Sequence, residues 1–138
     1  MSVNGKFLTK EQIFAADDIV FEAVECPEWG GSVILKSLTG KERDNYEASL
    51  VEQKKRRVTV KMENVRAKLL SKSIVDPDTH ERLFSDSDID ALGNKSAAPL
   101  DRLFDVARRL SGLDDDDVEE LTANFTEDQN DDSISDSP

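Results

Sequence analysis

The chain has 138 residues, a formal net charge of −12, one cysteine and one histidine. This length corresponds to one domain that can enclose an apolar core without disulfide or metal cross-links, and a lone cysteine excludes an internal disulfide. No apolar run approaches the roughly 20 residues that span a bilayer, so we expect no membrane contact. The first ten residues lack the profile of a signal peptide, which predicts a cytoplasmic protein.

The charge is unevenly distributed along the chain. From Asp114 to Pro138 there are 11 acidic residues and no Lys or Arg, which leaves 19 acidic against 18 basic residues in Met1 to Leu113. We therefore predict a single nearly neutral domain over residues 1–125 and a disordered acidic tail over 126–138. A neutral body with an acidic tail also argues against nucleic-acid binding, which needs surplus cations.

The first local signal is a capping box at the N-terminus. Thr9 and Gln12 have the spacing of an N-cap residue and its reciprocal partner, and Leu8 and Ile13 occupy the positions of a hydrophobic staple. This pattern predicts a short helix that ends near residues 17–18.

Two β-favouring segments follow. Ile19 to Cys26 and Ser32 to Leu38 are rich in Val, Ile and Phe, and the turn-forming segment Pro27 to Gly31 lies between them. The pattern predicts a β-hairpin. The pattern does not decide which residues of the first strand face the core: either Val24 and Cys26, or Phe21 and Ala23.

The middle of the chain alternates helical and basic segments. A second capping box at Thr39 predicts a helix through about Gln53, followed by a loop or frayed helix end at Lys54 to Arg57. Val58 to Val60 favours a brief third strand. Apolar residues at helical spacing from Met62 to Ile74 predict the next helix.

Three further helices are predicted toward the C-terminus. The first begins at the N-terminal signal Ser85 to Asp88 and ends at Gly93; the second runs from Ala97 to Ser111. The third covers residues 114–124. The fold class is therefore helix-dominated α+β, with an N-terminal helix and a β-hairpin followed by four or five helices.

Residues that could carry chemistry are few. Cys26 and His80 could form a nucleophile and base, but neither lies in a catalytic motif, and a small core thiol is the common role of an unpaired cysteine. Asp76, Asp78 and His80 alternate like metal ligands, yet the glycine and glutamate of a calcium loop are missing. We expect no enzyme, no cofactor, no metal and no small-molecule substrate.

Protein binding has three candidate sites. Trp29 lies at the predicted hairpin tip, where it is either an interface anchor or a large part of the core. The basic segment runs from Lys54 to Lys72 and includes the candidates Lys54, Lys55, Arg56 and Arg57. It either contacts an acidic partner, the chain's own acidic tail included, or is a solvated helix face. The third site is an apolar stripe, which packs in the core or binds a groove: Leu100, Leu103, Phe104, Ala107 and Leu110.

Several segments, taken in order, resemble the tail assembly chaperones of siphophages, particularly those of actinobacterial hosts. They cover most of the chain from Leu8 to Leu121. The segments are Cys26-Pro-Glu-Trp-Gly-Gly31, Val33-Ile-Leu-Lys-Ser-Leu-Thr39, Glu42-Arg43, Glu63-Asn-Val-Arg-Ala67, Leu83-Phe-Ser-Asp86, and Lys95-Ser-Ala-Ala-Pro-Leu-Asp-Arg-Leu-Phe104 through Leu110-Ser-Gly-Leu113.

The resemblance implies a non-enzymatic role in building a phage tail. Such chaperones coat the long, aggregation-prone tape measure protein, are thought to deliver tail tube subunits, and are absent from the mature virion. Many exist as a short product and a longer frameshifted form, and the acidic tail here is compatible with the short one. Self-association is left open. One alternative is a minor head–tail connector or structural virion protein, and another is an acidic DNA mimic that inhibits a host nuclease. A mimic spreads its acidic residues over a folded surface, so their concentration in a tail disfavours it.

Overall fold

Two β-hairpins and a set of helices account for residues 6–113, the part of the chain that the computed structural model describes. The predicted α+β class is confirmed, whereas the helix predicted at 114–124 and the tail predicted at 126–138 lie outside the described residues. The elements in chain order are α1 (Lys10–Ala15), β1 (Phe21–Cys26), β2 (Gly31–Lys36), α2 (Gly40–Leu50), β3 (Val51–Lys54), β4 (Arg57–Val60), α3 (Val65–Ser73), β5 (Ile74–Val75), α4 (Ile89–Gly93) and α5 (Ala97–Leu110).

The N-terminal helix α1 forms where its capping box predicts it. The Thr9 hydroxyl accepts from the backbone N–H of Gln12, and the Gln12 side chain accepts from the backbone N–H of Thr9. The helix ends at Ala15, before the expected end near residues 17–18, because Ala16 already has an extended backbone. None of its residues is buried.

The predicted hairpin of β1 and β2 is confirmed, and its register is now defined. Phe21 pairs with Lys36 and Cys26 pairs with Gly31 in an antiparallel ladder. Val24 and Cys26 point toward the core, whereas Phe21 and Ala23 are exposed, so the first of the two open alternatives is the correct one. The short strand β5 pairs antiparallel with β2 and completes a sheet of order β1-β2-β5.

The prediction for the middle segment was partly wrong. Helix α2 ends at Leu50 and not near Gln53, because Leu50 is fully buried and Val51 turns extended at φ −108° and ψ 145°. Residues 51–54 form strand β3, which pairs with the predicted strand at 58–60. Lys54 pairs with Arg57 at the end of this second hairpin, and Lys55 and Arg56 form its turn. The loop alternative is therefore correct for these two residues, and no helix end forms there.

Helix α3 is shorter than its apolar pattern predicted. It begins at Val65, and Met62 lies outside it with 54% of its surface exposed. Ile74 is not helical, because it pairs with Leu35 as part of β5. Between these limits α3 is the centre of the core, with Ala67, Leu69 and Leu70 almost completely buried.

Helices α4 and α5 confirm the predictions for residues 85–111. A 3-10 turn at Asp86–Asp88 leads into α4, and α5 packs against α3 and the β1–β2 hairpin. The Ser111 hydroxyl accepts from the backbone N–H of Leu38, which attaches the end of α5 to the loop before α2. Within residues 6–113, no helix is long and apolar enough to cross a membrane.

Candidate functional site

The turn of the first hairpin places Trp29 beside the core. Pro27 opens a single 3-10 turn, and Gly30 closes it with φ of 81°, a conformation that glycine adopts without the steric cost of a Cβ. Trp29 is consequently half-buried and packs against the edge of the core. It is neither a free anchor nor a fully enclosed core residue.

Trp29 forms one wall of an apolar groove of about 450 Å³. The opposite wall comes from α4 and from the residues that precede it. Most of the lining is apolar, and one acid and one base complete it. The lining residues are Trp29, Leu83, Phe84, Asp88, Ala91, Leu92 and Lys95.

The second wall is held by backbone contacts and by a cap. The backbone N–H of Leu83 donates to the carbonyl of Ile74 at 3.2 Å, which fixes the segment to β5. The Asp88 carboxylate accepts from the backbone N–H of Ser85 at 2.9 Å and starts the turn before α4. Leu83 nevertheless keeps half of its surface exposed, so the groove is open to a partner.

Two ion pairs connect the hairpin to α5. Arg102 donates to both carboxylate oxygens of Glu28, at 2.8 and 2.7 Å, and Arg109 donates to Glu22 at 2.9 Å. The hydrogen bonds from Arg102 lower the pKa of Glu28 from its ordinary 4.5 to about 2. Because Glu28 precedes Trp29, the bidentate pair holds the turn that carries the groove wall.

The predicted apolar stripe is divided by the fold. Leu100, Leu103 and Ala107 are buried and pack in the core, whereas Phe104 and Leu110 are half-buried at its edge. A partner can therefore touch the last two without opening the fold. The Arg108 guanidinium lies over the Phe104 ring, 5.0 Å from its centre, and covers part of that aromatic face.

The basic candidates lie on a different element from Trp29. Lys54 is the last residue of β3 and Arg57 is the first residue of β4, and the two pair next to the turn. Lys55 lies in this turn with φ of 54°, and all four cations are exposed. Lys54 lies 3.5 Å from the Glu52 carboxylate. The tip is a charged projection rather than part of the groove.

The groove contains residues that the sequence patterns did not identify. Leu83, Phe84 and Lys95 were named only within segments of the family resemblance, and Ala91 and Leu92 only fell inside the helix predicted to end at Gly93. Trp29 and α4 line the same groove although they are far apart in sequence, so no spacing rule could reveal it.

The possible nucleophile and base lie at opposite ends of the first hairpin. Cys26 is fully buried next to the turn, whereas the His80 ring stacks on Phe21 with 4.0 Å between ring centres. The six residues of β1 separate these two ends by about 17 Å at the usual rise per residue. Cys26 and His80 therefore do not form a catalytic pair in this structure.

Asp76, one of the residues that alternate like metal ligands, serves as a local cap. The Asp76 carboxylate accepts from the backbone N–H groups of Asp78 and Thr79, and these hydrogen bonds lower its pKa. Asp86 lies 3.0 Å from Arg82. Among residues 6–113, no cluster of three His, Cys, Asp or Glu side chains could hold a metal ion.

The described residues thus form a small α+β domain with an open, mostly apolar groove. The profile of the phage tail assembly chaperone family matches residues 9–130, which is most of the chain. The chain therefore belongs to the phage tail assembly chaperones.

One solved structure supports the fold assignment. The bacteriophage HK97 tail assembly chaperone superposes with a TM-score of 0.52 at 20% sequence identity, over 72% of this chain and 94% of that one. At this identity the likeness concerns the fold alone. No curated protein matches the sequence significantly.

Proposed function

We propose that this tail assembly chaperone binds apolar segments of the tape measure protein of its phage in the Trp29 groove. Binding keeps the tape measure protein soluble in the host cytoplasm while tail tube subunits assemble around it, and the chaperone is absent from the finished virion. The observation that supports this proposal is the open apolar groove between the first hairpin and α4. An exposed apolar concavity is a common site for an apolar partner.

Apolar contact should dominate over charge in this interaction. Among residues 6–113, the ionisable groups that line the groove are Asp88 and Lys95, while the exposed cations of the Lys54–Arg57 tip lie on another element. Burial of apolar surface depends little on salt, whereas an exposed ionic contact is screened as the Debye length shortens from about 8 Å at physiological salt to about 3 Å at 1 M. We therefore expect tape measure binding to survive about 0.5 M salt.

The experiment is co-expression of the tape measure protein with groove variants of the chaperone. Ala91→Glu places a charge in the groove from an exposed position on α4, so folding should be unaffected. Ala48→Glu makes the same change at an exposed position on α2, away from the groove, and is the matched control. We expect wild type and A48E to keep the tape measure protein soluble and to co-purify with it, and A91E to lose both effects.

Two outcomes would contradict the proposal. If the tape measure protein is equally soluble without the chaperone, the chain is not its chaperone. If A91E binds normally while about 0.5 M salt abolishes binding, the site is the basic tip formed by Lys54, Lys55, Arg56 and Arg57.

Purified virions provide a separate test of whether the chain acts as a chaperone or as a structural protein of the particle. We expect mass spectrometry of purified particles to detect no stoichiometric amount of this chain. Stoichiometric presence would instead support the minor head–tail connector. A longer frameshifted form remains a prediction, which antibodies against residues 6–113 can test in infected cells.

A further inference from the structure

The second hairpin and the residue that follows it are strongly basic. Residues 51–61 contain five cations and one acid, Glu52, which gives a net charge of +4. All five cations are exposed. A projection that carries one sign of charge raises the local concentration of anions and favours an acidic partner.

The geometry of the hairpin places three of these cations on one face. Side chains alternate along an extended strand, and from Arg57 to Lys61 every second residue is exposed, so Arg57 and Lys61 point to the same side. Lys54 lies directly opposite Arg57 in the ladder. We define the basic face as the side chains of Lys54, Arg57 and Lys61.

The charge of the basic face is not balanced by the rest of residues 6–113. Lys54 lies 3.5 Å from the Glu52 carboxylate, but no carboxylate in the described part of the chain forms an ion pair with Arg57 or Lys61. Like charges directly opposite each other on two strands are destabilising. The facing pair of Lys54 and Arg57 is therefore an unfavourable contact that a bound anion would relieve.

A fourth cation repeats this crowding at the base of the second hairpin. The Lys68 ammonium donates to the Ser49 carbonyl at 3.1 Å, and the backbone N–H of Lys61 donates to the carbonyl of the next residue, Leu50. Burial lowers the pKa of Lys68, and the positive charge of Lys61 lowers it further, while Glu63 acts in the opposite direction. An anion bound at this end would offset the repulsion between the two lysines.

The chain itself contains a ligand of opposite charge. Residues 114–138 hold 11 acidic residues and no Lys or Arg. Carboxylates form charge-assisted hydrogen bonds with ammonium and guanidinium groups. Five of the acids fall near the end of the sequence, and we refer to them as the terminal acids: Glu127, Asp128, Asp131, Asp132 and Asp136.

The terminal acids are within reach of the basic face of their own copy. The segment leaves the described structure at Leu113, two residues after Ser111, whose hydroxyl accepts from the backbone N–H of Leu38. From there α2 rises about 16 Å over its 11 residues, and β3 adds about 13 Å. Leu113 and Glu127 are 14 residues apart in the sequence, which permits a separation of up to about 50 Å and exceeds this path.

We propose that the terminal acids dock on the basic face of the same copy, with Arg57 and Lys61 as their principal partners. The contact is ionic and exposed, so salt screens it and it adds little to the free energy of unfolding. It covers the second hairpin and leaves the Trp29 groove open. The covered cations are withheld from other polyanions, nucleic acid included. The proposal requires no tape measure protein, so it can fail while the proposed function holds, and the reverse.

The test measures paramagnetic relaxation within the full chain by NMR. A spin label is attached through Ser137→Cys, next to the terminal acids, while the native Cys26 is fully buried and stays unlabelled in the folded protein. The backbone amide signals of residues 51–61 report whether the label comes close to the second hairpin.

Two variants of the labelled chain each remove one side of the contact. Arg57→Glu with Lys61→Glu reverses the basic face, and the new acid at position 57 faces Lys54, which favours the hairpin. The second variant keeps the hairpin intact and neutralises the terminal acids as Asn or Gln. Lys6→Glu with Lys10→Glu reverses two exposed cations elsewhere and is the matched control.

At physiological salt we expect the label to broaden the amide signals of residues 51–61 in the wild-type background and in the control, and in neither of the two other variants. The signals should recover at about 1 M salt, where the Debye length falls from about 8 Å to about 3 Å. A mixture of isotope-labelled chain without the spin label and spin-labelled chain without the isotope should show no broadening there, because the contact lies within one copy.

Unbroadened signals of residues 51–61 in the wild-type background would overturn the proposal. Broadening that persists after reversal of the basic face, after neutralisation of the terminal acids or at about 1 M salt would do the same, because the contact would not be the ionic one described. Broadening in the mixed sample would show docking on a different copy and would also contradict the proposal.

Discussion

Helices α1 and α2 begin with the same device but end up in different environments. Thr9 with Gln12 and Thr39 with Glu42 form complete capping boxes, in which each side chain accepts from the other residue's backbone N–H. In α2, Tyr46 and Leu50 are buried in the core, whereas α1 buries nothing. The capping box therefore decides where a helix starts, and packing decides whether the helix contributes to the stability of the domain.

The two helices also differ in how they pack against the rest of the domain. Helix α2 continues into the second hairpin and packs on α3, so it belongs to the framework that shapes the groove. Helix α1 leaves Ile13 and Phe14 mostly uncovered by the other residues of 6–113. Two pairs of substitutions can break or sharpen this contrast, and a third test concerns the link between the first hairpin and α5.

The largest effect is expected from truncation of a buried side chain in α2. Leu50→Ala leaves a cavity where a fully buried leucine was, and such changes typically cost about 2–5 kcal/mol of unfolding free energy. Ile13→Ala in α1 should change it by less than about 0.5 kcal/mol, since Ile13 is mostly exposed. Urea denaturation of both variants at low protein concentration measures the difference; equal losses would mean that α1 packs on the body after all.

The two N-caps provide an intermediate effect. Thr39→Ala removes the hydroxyl that accepts from the Glu42 N–H at 3.1 Å, and a lost cap costs about 1 kcal/mol. The equivalent change Thr9→Ala should leave global unfolding unchanged, because α1 can unfold without exposing the core. Chemical denaturation again distinguishes the two, and a matching loss in Thr9→Ala would show that α1 unfolds together with the domain.

The smallest effect concerns the Glu28–Arg102 pair at the closed end of the first hairpin. The folded-state pKa of Glu28 is lowered from 4.5 to about 2, so the stabilisation is complete above pH 4.5 and is lost as pH falls toward 2. Arg102→Gln should return the pKa of Glu28 toward 4.5 and flatten this part of the stability profile. Carboxyl NMR titration measures the pKa directly; an unchanged value in the variant would assign the shift to other groups.

The groove illustrates why the candidate site was only partly predictable. Trp29 could be singled out because it is the only tryptophan and lies at the predicted hairpin tip, whereas the residues of α4 that line the groove with it could not. Leu100 and Phe104 looked equivalent in the apolar stripe, yet one is buried and the other only half-buried. Helical spacing gives the direction of a face but not the surface that covers it.

The sequence by itself determined the features that depend on neighbours along the chain: the capping boxes of α1 and α2, the turn at Pro27–Gly31, and helix α5 with its limits. These features depend on hydrogen bonds and backbone preferences within a few residues. Tertiary structure decided the rest. Val51 became a strand because residues 57–60 were available to pair with it, and Val24 turned inward because α5 covers that face of the hairpin. Trp29 and Phe84 line one groove because β5 brings the segment before α4 back to the sheet, and only the folded chain can place such distant residues side by side.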